Sequence, residues 1–419
     1  GAVDWQTSDV KTSTFTAAAS KGYLVNTTGG AITVNLPAGT AGDEIALADY
    51  AGTWDSNNVT LSANGSEKIQ GSTVDVYLSR DREAVELLYV DSTQGWIITS
   101  TTDQGAVTAT YISASGGTET TSGNFKIHTF TGSGTFTVSS VGNAAGSNSV
   151  DYLVVAGGGA GPATGGGDGI SGGGGGGGFR FYAHPSDNPQ SGNPASPLNG
   201  PAAIPVSATA YPITVGAGGS KGTAPSGWTN GSNSVFSTIT STGGGRGGRG
   251  DPNANGQNGG SGGGGSNSSS PGGSGNTPPV SPAQGTNGAA GGTSSGGGGG
   301  GAISAGSAGG TSGGNGGAGG GVTGFGTSGQ SSGGKYYFSG AGGGANGNAN
   351  FPSPGTVGSG GLGGGADGRN PSDTSASNGT ANTGGGGGGA NDKTPVGGGG
   401  GAGGDGGSGI VVIRYKYQS

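Results

Sequence analysis

The sequence predicts a mainly β protein whose larger part is a bundle of polyglycine helices instead of a conventional apolar core. Two observations predict this fold class. Short β-branched and aromatic runs separated by turn residues fill the first part of the chain, and long glycine runs fill the rest. Of the 112 glycines, 94 lie in residues 151–419, where they form eleven runs of three or more. Because glycine has no side chain to bury, such runs need another source of order.

One backbone geometry supplies that order. The extended left-handed helix with three residues per turn rises about 3.1 Å per residue and forms no internal hydrogen bonds. Helices without side chains can pack with their backbones nearly in contact, so each buried N–H and C=O finds a partner on a neighbouring helix. Collagen needs a strict Gly-X-Y repeat, which runs of six and seven glycines exclude. We therefore expect mid-run glycines such as Gly175, Gly298, Gly387 and Gly399 to form a scaffold closed by strands at its termini.

Residues 1–103 predict a small β sandwich or barrel-like module. Seven short runs lie between turn signals, a spacing typical of such modules. The runs are 22–26, 31–36, 44–48, 59–61, 74–78, 84–90 and 96–99. Trp54 and Trp96 are expected to fill the core of this module.

Residues 104–150 predict a short β connector, and residues 151–419 predict the glycine-rich domain. The expected strands of the connector are 107–112, 125–130 and 134–138. The glycine-rich domain opens with 151–156 and closes with 410–417, both β-branched and apolar, so we expect these two segments to lie together and anchor it. Further strands are expected at 211–215 and 234–240, and aromatic clusters at 179–182 and 335–338 are expected to cap or wedge the bundle.

Charge and composition exclude several classes of function. Residues 1–103 hold 13 acidic and 5 basic residues, whereas 151–419 hold 8 and 9, so no basic footprint of a nucleic-acid binder is present. No apolar run reaches the length of a membrane span, and the absence of cysteine excludes disulfides and thiolate metal sites. A single Arg246-Gly-Gly-Arg249 unit is interpreted as a structural or loop element. The absence of an initiator methionine leads us to expect a processed chain or a fragment.

No catalytic, metal or cofactor site is predicted. A nucleophile needs a base beside it, and neither His128 nor His184 has a recognisable partner. His128 is expected to be a structural residue of its strand. The nearby carboxyl groups of Asp81, Glu83 and Glu86 are interpreted as solvated rather than as a pair flanking a sugar bond. We therefore expect the protein not to be an enzyme.

Several sequence phrases, in order, resemble one family. They are SGNFKIHTFTGSGTFTV, VDYLVVAGGGAG, GGGGGGGFR, YPITVGAGG, NGSNSVFSTITSTGGG and GGAGGDGGSGIVVIRY, and they span about 122–415. This set resembles the glycine-rich domain of bacteriophage tail fibres and tail-tip adhesins. Residues 1–103, with GYLVNTTGGAITVNLPAG and LLYVDSTQGW, are similar to small β modules of phage fibre proteins.

The resemblance implies a layered polyglycine-II sandwich that presents variable loops to a host cell. It also implies an extracellular virion location, assembly with other fibre proteins, and a homotrimer through the N-terminal part. The expected ligand is a bacterial surface receptor, either an outer-membrane protein or a glycan.

Loops between glycine runs should emerge at the ends of the bundle, where a rigid scaffold can present them. Aromatic side chains dominate binding hot spots, so the aromatic loop residues, with one histidine, are the anchor candidates. They are His184, Trp228, Phe325, Tyr336, Tyr337, Phe338 and Phe351. The alternative for each is packing against the bundle flank. The alternative function is a purely structural virion or filament protein without a specific ligand, and ice binding through a flat threonine or alanine face is a third possibility.

Overall fold

The computed structural model describes residues 3–101, 109–143, 146–164, 169–184, 198–223, 226–250, 254–347, 356–369, 375–391 and 401–418. The regular elements of these residues are β-strands, and the chain divides into two compact units, Gly1–Thr110 and Tyr111–Ser419. We call them unit 1 and unit 2. In the described residues, no helix is both long and apolar enough to cross a membrane.

Unit 1 is a β sandwich. Its strands are β1 (Asp4–Trp5), β2 (Phe15–Thr16), β3 (Lys21–Val25), β4 (Ile32–Asn35), β5 (Glu44–Asp49), β6 (Val59–Ser62), β7 (Val76–Leu78), β8 (Ala84–Asp91) and β9 (Gly95–Thr101). Among the described residues they form two sheets, β1-β3-β5-β8-β9 and β2-β4-β6-β7, and neither closes into a barrel. Alternate residues of β4 and β6 are buried, as expected of strands with one face on a core.

The seven strands predicted for residues 1–103 are confirmed to within about two residues. Trp54 and Trp96 are both fully buried in the single apolar core between the sheets, as predicted. Strands β1 and β2 were not predicted, because two-residue strands carry no alternation that a sequence pattern could reveal.

Unit 2 contains the remaining strands of the described chain. They are β10 (Ser113–Ser115), β11 (Thr118–Ser122), β12 (Phe125–Phe130), β13 (Gly134–Ser140), β14 (Ser149–Val155), β15 (Phe179–Tyr182), β16 (Ile204–Pro205), β17 (Ala210–Thr214), β18 (Lys221–Thr223), β19 (Ser226–Trp228), β20 (Ser234–Phe236), β21 (Ile239–Ser241), β22 (Gly320–Val322), β23 (Gln330–Ser332), β24 (Lys335–Phe338) and β25 (Ile410–Lys416).

Three of the described sheets of unit 2 form stacked layers. The middle sheet has the order β11-β12-β25-β14-β15, with β16 also paired to β14. One apolar cluster joins it to the sheet β10-β13-β17-β20-β21, and another joins its opposite face to β22-β24-β23. Alternate residues of β25 enter the two clusters, Val411 one and Val412 the other. A strand buried on both faces explains the continuous apolar run of IVVI.

The two segments that flank the glycine region pair directly. Strands β14 and β25 are antiparallel, with Asp151 opposite Arg414 and Val155 opposite Ile410. The prediction that these segments lie together is therefore confirmed. The Arg414 guanidinium forms a buried ion pair with the Asp151 carboxylate, and its Cζ lies 4.3 Å from the centre of the Phe125 ring.

Strands from residues 104–150 belong to unit 2. Strand β12 pairs with β25, and β13 pairs with β17, so these residues are built into the layers. The strands expected at 125–130 and 134–138 are confirmed. The strand expected at 107–112 lies partly outside the described residues, and its described part, 109–112, is not a strand. The next strand, β10, begins at Ser113, directly after the expected segment.

Outside the sheets lie the glycine-rich segments, which we call tracts. The central tract, residues 172–178, precedes β15 and is entirely buried. Its N–H groups donate to three other tracts in rotation. The first, fourth and seventh residues donate to carbonyl oxygens of 242–248 at 2.7–3.0 Å, the second and fifth to 297–300, and the third and sixth to 384–387. Among the described residues, donors thus repeat every third position.

The carbonyl oxygens of the central tract follow the same rotation. They accept hydrogen bonds from backbone N–H groups of 156–159 and 261–264, and from residues of 339–342, where the Ser339 hydroxyl replaces one N–H group. In the described chain the central tract therefore has three acceptor tracts and three donor tracts around it. All seven N–H groups of the tract and the carbonyl oxygens of residues 173–178 are thus hydrogen-bonded without a sheet.

Side chains are excluded from these contacts. A Cβ atom on Gly175, Gly298 or Gly387 would lie less than 3.0 Å from a backbone carbonyl oxygen of an adjacent tract. All three glycines are buried, and Gly399 lies outside the described residues. Main chain packed on main chain thus fills the interior between tracts.

Asparagine and aspartate side chains close the outer faces of the tracts. Each is exposed, and its Oδ1 atom accepts a backbone N–H of a neighbouring tract at 2.7–2.9 Å. These residues are Asn230, Asn233, Asn258, Asn287, Asn315, Asp367 and Asn378. An amide at the edge of the array, which no further tract covers, is satisfied in this way.

Candidate binding surface

The tracts have two ends. At the sheet end they join β14, β15 and β25, at Ala156, Gly178 and Gly409. At the opposite end, which we call the far end, tracts reach Thr164 and Asn391. The hydrogen-bond register fixes this assignment, because residue 178 is level with 242 and residue 172 with 248.

Buried polar side chains tie the far end together. The Arg369 guanidinium donates to the backbone oxygen and to Oδ1 of Asn391, the latter at 2.9 Å. Asn391 in turn donates through Nδ2 to the Asn346 carbonyl oxygen, and the Ser171 hydroxyl donates to the Pro162 carbonyl oxygen at 2.9 Å. These residues are almost completely buried. The far end is therefore held by side chains that satisfy the last carbonyls of the tracts.

Two aromatic candidates belong to the core at the sheet end. Phe338 is 0% exposed and Phe325 is 1% exposed. The Phe325 ring centre lies 5.2 Å from that of Phe181, and both candidates pack in the cluster that covers the middle sheet. The structure thus corrects the expectation that they are exposed loop anchors. Strand β24 pairs with β22, and Phe338 of β24 is buried in this sheet. The pairing could not be predicted from the sequence, because β22 consists of two glycines and one valine.

The other candidates near the sheet end are more accessible. Tyr336 and Tyr337 lie on β24 and are half-buried, and Tyr336 packs against the same apolar cluster. His184 follows β15 and is exposed, and its backbone N–H donates to Oδ1 of Asp151 at 3.2 Å. Phe351 lies outside the described residues.

Trp228 lies at the far end, away from the other described candidates. It pairs with Lys221 across the β18–β19 hairpin, and the Lys221 carbonyl oxygen accepts the N–H of Ala163, next to Thr164. Gly222 and Gly227 have φ of 63° and 90°, so the hairpin needs glycine at both positions. Trp228 is half-buried. The structure therefore divides the predicted anchors between two ends and does not bring them together.

The Arg246-Gly-Gly-Arg249 unit, interpreted from the sequence as a structural or loop element, places Arg249 against Trp228. The Arg249 Cζ lies 5.0 Å from the centre of the Trp228 ring, a cation–π contact. Arg246 is one turn of the tract away, and burial lowers its pKa. Neither guanidinium lies in an ion pair within the described chain. The three-residue spacing of Arg-Gly-Gly-Arg could have revealed that both residues leave the tract on one side.

The second histidine is part of the core. His128 is 0% exposed; Nδ1 lies 2.7 Å from the Gly116 carbonyl oxygen and Nε2 3.0 Å from the Tyr415 hydroxyl. Burial lowers its pKa, which favours the neutral ring. The structural role predicted for His128 agrees with this setting. In the described residues, no three side chains of metal-ligating type converge on one point.

Comparison with known proteins identifies the family. A segment of the chain is 38% identical over 89 residues to the baseplate wedge protein gp10 of Enterobacteria phage T4. That match covers 20% of this chain and only 15% of the relative, so the chain spans a small part of the relative's length. The model of the glycine-rich domain matches residues 129–416, which include every tract and strands β13 to β25. Since the match covers more than half of the chain, the protein belongs to the glycine-rich domain family.

Proposed function

We propose that the chain is a bacteriophage virion protein that binds a bacterial surface receptor without catalysing a reaction on it. Similarity to a protein named as a phage baseplate component supports the virion assignment. The glycine-rich domain supports a role as a rigid scaffold for recognition at its surface.

We also propose that the tracts are polyglycine-II helices. The support is the rotation of hydrogen-bond partners along the central tract, which repeats every third residue. Three residues per turn is the repeat of this helix. The N–H groups of the central tract, residues 172–178, all donate to other tracts, which also matches a helix without internal hydrogen bonds. A lattice of such helices is stiff, because every tract is bonded to several others.

One observation carries the receptor-binding proposal. At the far end, the half-buried Trp228 of the β18–β19 hairpin lies against the Arg249 guanidinium of an adjacent tract. Tryptophan and arginine are the residues most enriched in binding hot spots. The interior of the array cannot present such side chains, because close contacts between backbones exclude side chains there.

The second candidate function is a structural virion component without a receptor. The name of the relative, a baseplate wedge protein, favours it. The two candidates differ in what the isolated chain binds. A receptor-binding chain attaches to cells, whereas a structural component attaches only to other virion proteins.

The test uses the fluorescently labelled full chain and a panel of bacterial strains. We expect saturable binding to some strains. The double variant Trp228→Ala, Arg249→Ala should bind these strains with an affinity at least tenfold lower. The matched control is Tyr77→Ala, which removes an aromatic ring that is 45% exposed on unit 1. If the chain binds no strain but co-sediments with tail proteins, the structural candidate replaces the receptor-binding one.

We propose, in addition, that the chain assembles as a homotrimer through its N-terminal part, as the family resemblance implies. Sedimentation equilibrium should then give three times the chain mass of 38.8 kDa. A chain of residues 1–110 should still be trimeric, because unit 1 has its own apolar core. A monomeric full chain would refute this assembly.

A further inference from the structure

Arg246 and Arg249 project toward the same neighbour. Both belong to the tract that follows β21, in which position 243 faces the carbonyl oxygen of Gly231. The N–H of residue 243 donates to Asn233, and that of residue 246, one repeat later, donates to Asn230. Positions 243, 246 and 249 therefore line the side of the tract that faces the segment leaving β19. Trp228 is the last residue of β19, so the two guanidinium groups and the indole share one flank.

Among the residues that the structure describes, this flank carries two arginines and no carboxylate paired with either of them. Asp405 is instead paired with Lys221 of the adjacent hairpin: its Oδ2 lies 4.0 Å from Nζ of Lys221, and its Oδ1 accepts the Lys221 N–H at 2.7 Å. Within the described chain, neither arginine is in an ion pair with a carboxylate. Arg246 makes one hydrogen bond to a neighbouring carbonyl oxygen, at 3.1 Å from Gly247. Both arginines are half-buried, and the described part of unit 2 places no carboxylate in contact with them.

Arg249 also has an unused donor. Its Nε atom is buried, and in the described residues it has no hydrogen-bond partner, although a buried donor without a partner costs about 1–3 kcal/mol. The guanidinium is instead positioned by the Trp228 ring at 5.0 Å. Arg249 as a whole is half-buried, so a ligand oxygen would meet the accessible part of a guanidinium that is already held in place.

We propose that Trp228, Arg246 and Arg249 form a binding site for an acidic sugar, a saccharide that carries a phosphate or carboxylate group. The guanidinium groups would hold the oxyanion through forked, charge-assisted hydrogen bonds, for which arginine is better suited than lysine. The indole would pack against the apolar face of the sugar ring, since a tryptophan offers a large flat surface at little entropic cost.

This proposal rests on the proposed receptor-binding function and specifies the chemical class of the ligand. One such site is weak, and several copies on one particle would add avidity. The hydrogen bonds between the tracts here join main-chain groups and the asparagines Asn230 and Asn233, so replacing either guanidinium by an amide leaves them intact. The site can therefore be tested in the folded protein.

The experiment is calorimetric titration of the full chain with four probes at low ionic strength: glucose 6-phosphate, glucuronate, inorganic phosphate and glucose. We expect both acidic sugars to bind at least tenfold more tightly than glucose or inorganic phosphate, and the tighter one identifies the oxyanion. Added salt should weaken binding, because part of the attraction is between exposed charges.

Variants assign the roles. Arg246→Gln and Arg249→Gln should each weaken binding of the acidic sugars at least tenfold, and Trp228→Leu should reduce it to the level of inorganic phosphate. Arg180→Gln, at the opposite end of the array, is the matched control and should bind normally. If a glutamine variant melts early, Arg249→Lys keeps the charge and should still lose most of the affinity.

Three outcomes overturn the site: glucose binding as tightly as the acidic sugars, unchanged affinity in both arginine variants, or equal weakening by Arg180→Gln. Failure of cell attachment is distinguishable from failure of the site, because free sugars are measured without cells. Sugar binding without cell attachment would keep the site and reject the receptor role, and attachment without sugar binding would do the reverse.

Discussion

Valine at position 175 should destabilise unit 2 and leave the stability of unit 1 unchanged. An ideal Cβ atom on Gly175 lies 2.7 Å from the Gly262 carbonyl oxygen and closer still to that of Ser261, whereas ordinary contacts begin at 3.4 Å. Both oxygens belong to the main chain and cannot rotate away. The tract that contains them must therefore move by at least the difference, 0.7 Å, and the two γ-methyl groups of valine add to this.

The energetic cost follows from the hydrogen bonds that this movement breaks. The same tract donates from Gly264 to the Gly173 oxygen at 2.9 Å and from Ser261 to the Gly176 oxygen at 3.2 Å. Two donors and two acceptors are then left buried without partners, each at a cost of about 1–3 kcal/mol. The loss is at least about 4 kcal/mol, out of the roughly 5–15 kcal/mol that stabilises a typical protein.

Thermal unfolding followed by calorimetry measures this loss. A transition that belongs to unit 2 should move down by about 8 °C or more, at about 2 °C per kcal/mol for a large domain. The transition of unit 1 is the internal reference. Gly310→Val is the matched control, because Gly310 is exposed and a Cβ atom there meets nothing within 4 Å. If Gly175→Val melts like Gly310→Val, the tracts are not close-packed and the scaffold argument fails.

Two further predictions concern polar groups of unit 2. Burial lowers the pKa of His128, so the unfolded chain takes up the proton first as the pH falls. The melting temperature of unit 2 should then fall between about pH 7.5 and about pH 5.5, and His128→Gln should remove most of this slope while His184→Gln retains it. Asn315→Ala deletes the oxygen that accepts the Ser359 N–H at 2.9 Å, which should cost about 1 kcal/mol. The exposed Ser328→Ala should leave the melting temperature unchanged, and equal melting of both variants would contradict the role of asparagine in closing the tract edges.

The strands were predictable because their side chains carry information. The alternation of apolar and polar residues predicted β4 and β6. The two apolar runs that form β14 and β25 predicted that these strands are buried and lie together. The segment 234–240, expected as one strand, is instead the hairpin of β20 and β21. Its turn at Ser237 has φ of 50°, which serine rarely adopts and no local pattern signals.

The pairing of the tracts could not be predicted, because glycine has no side chain to distinguish one register from another. Register is set at positions that interrupt the runs. Ser171 bonds to the carbonyl oxygens of Pro162 and Ala390, and Ser339 bonds to that of Gly177. Each fixes how far one tract slides along its neighbours. The sequence shows that these residues interrupt glycine, but only the fold shows which tract each one meets.

The close packing of backbones also determines which positions of the tracts tolerate a side chain. In the central tract every position faces another backbone, so no residue there can acquire a side chain. On an outer tract, one position in three faces solvent. Asn315 and Asn258 are exposed and close the edge, whereas Arg246 and Arg249 are half-buried, and in the described chain they bond to no neighbouring tract through their charged groups. The proposed ligand site accounts for this departure, because the guanidinium groups then bond to the ligand and not to a tract.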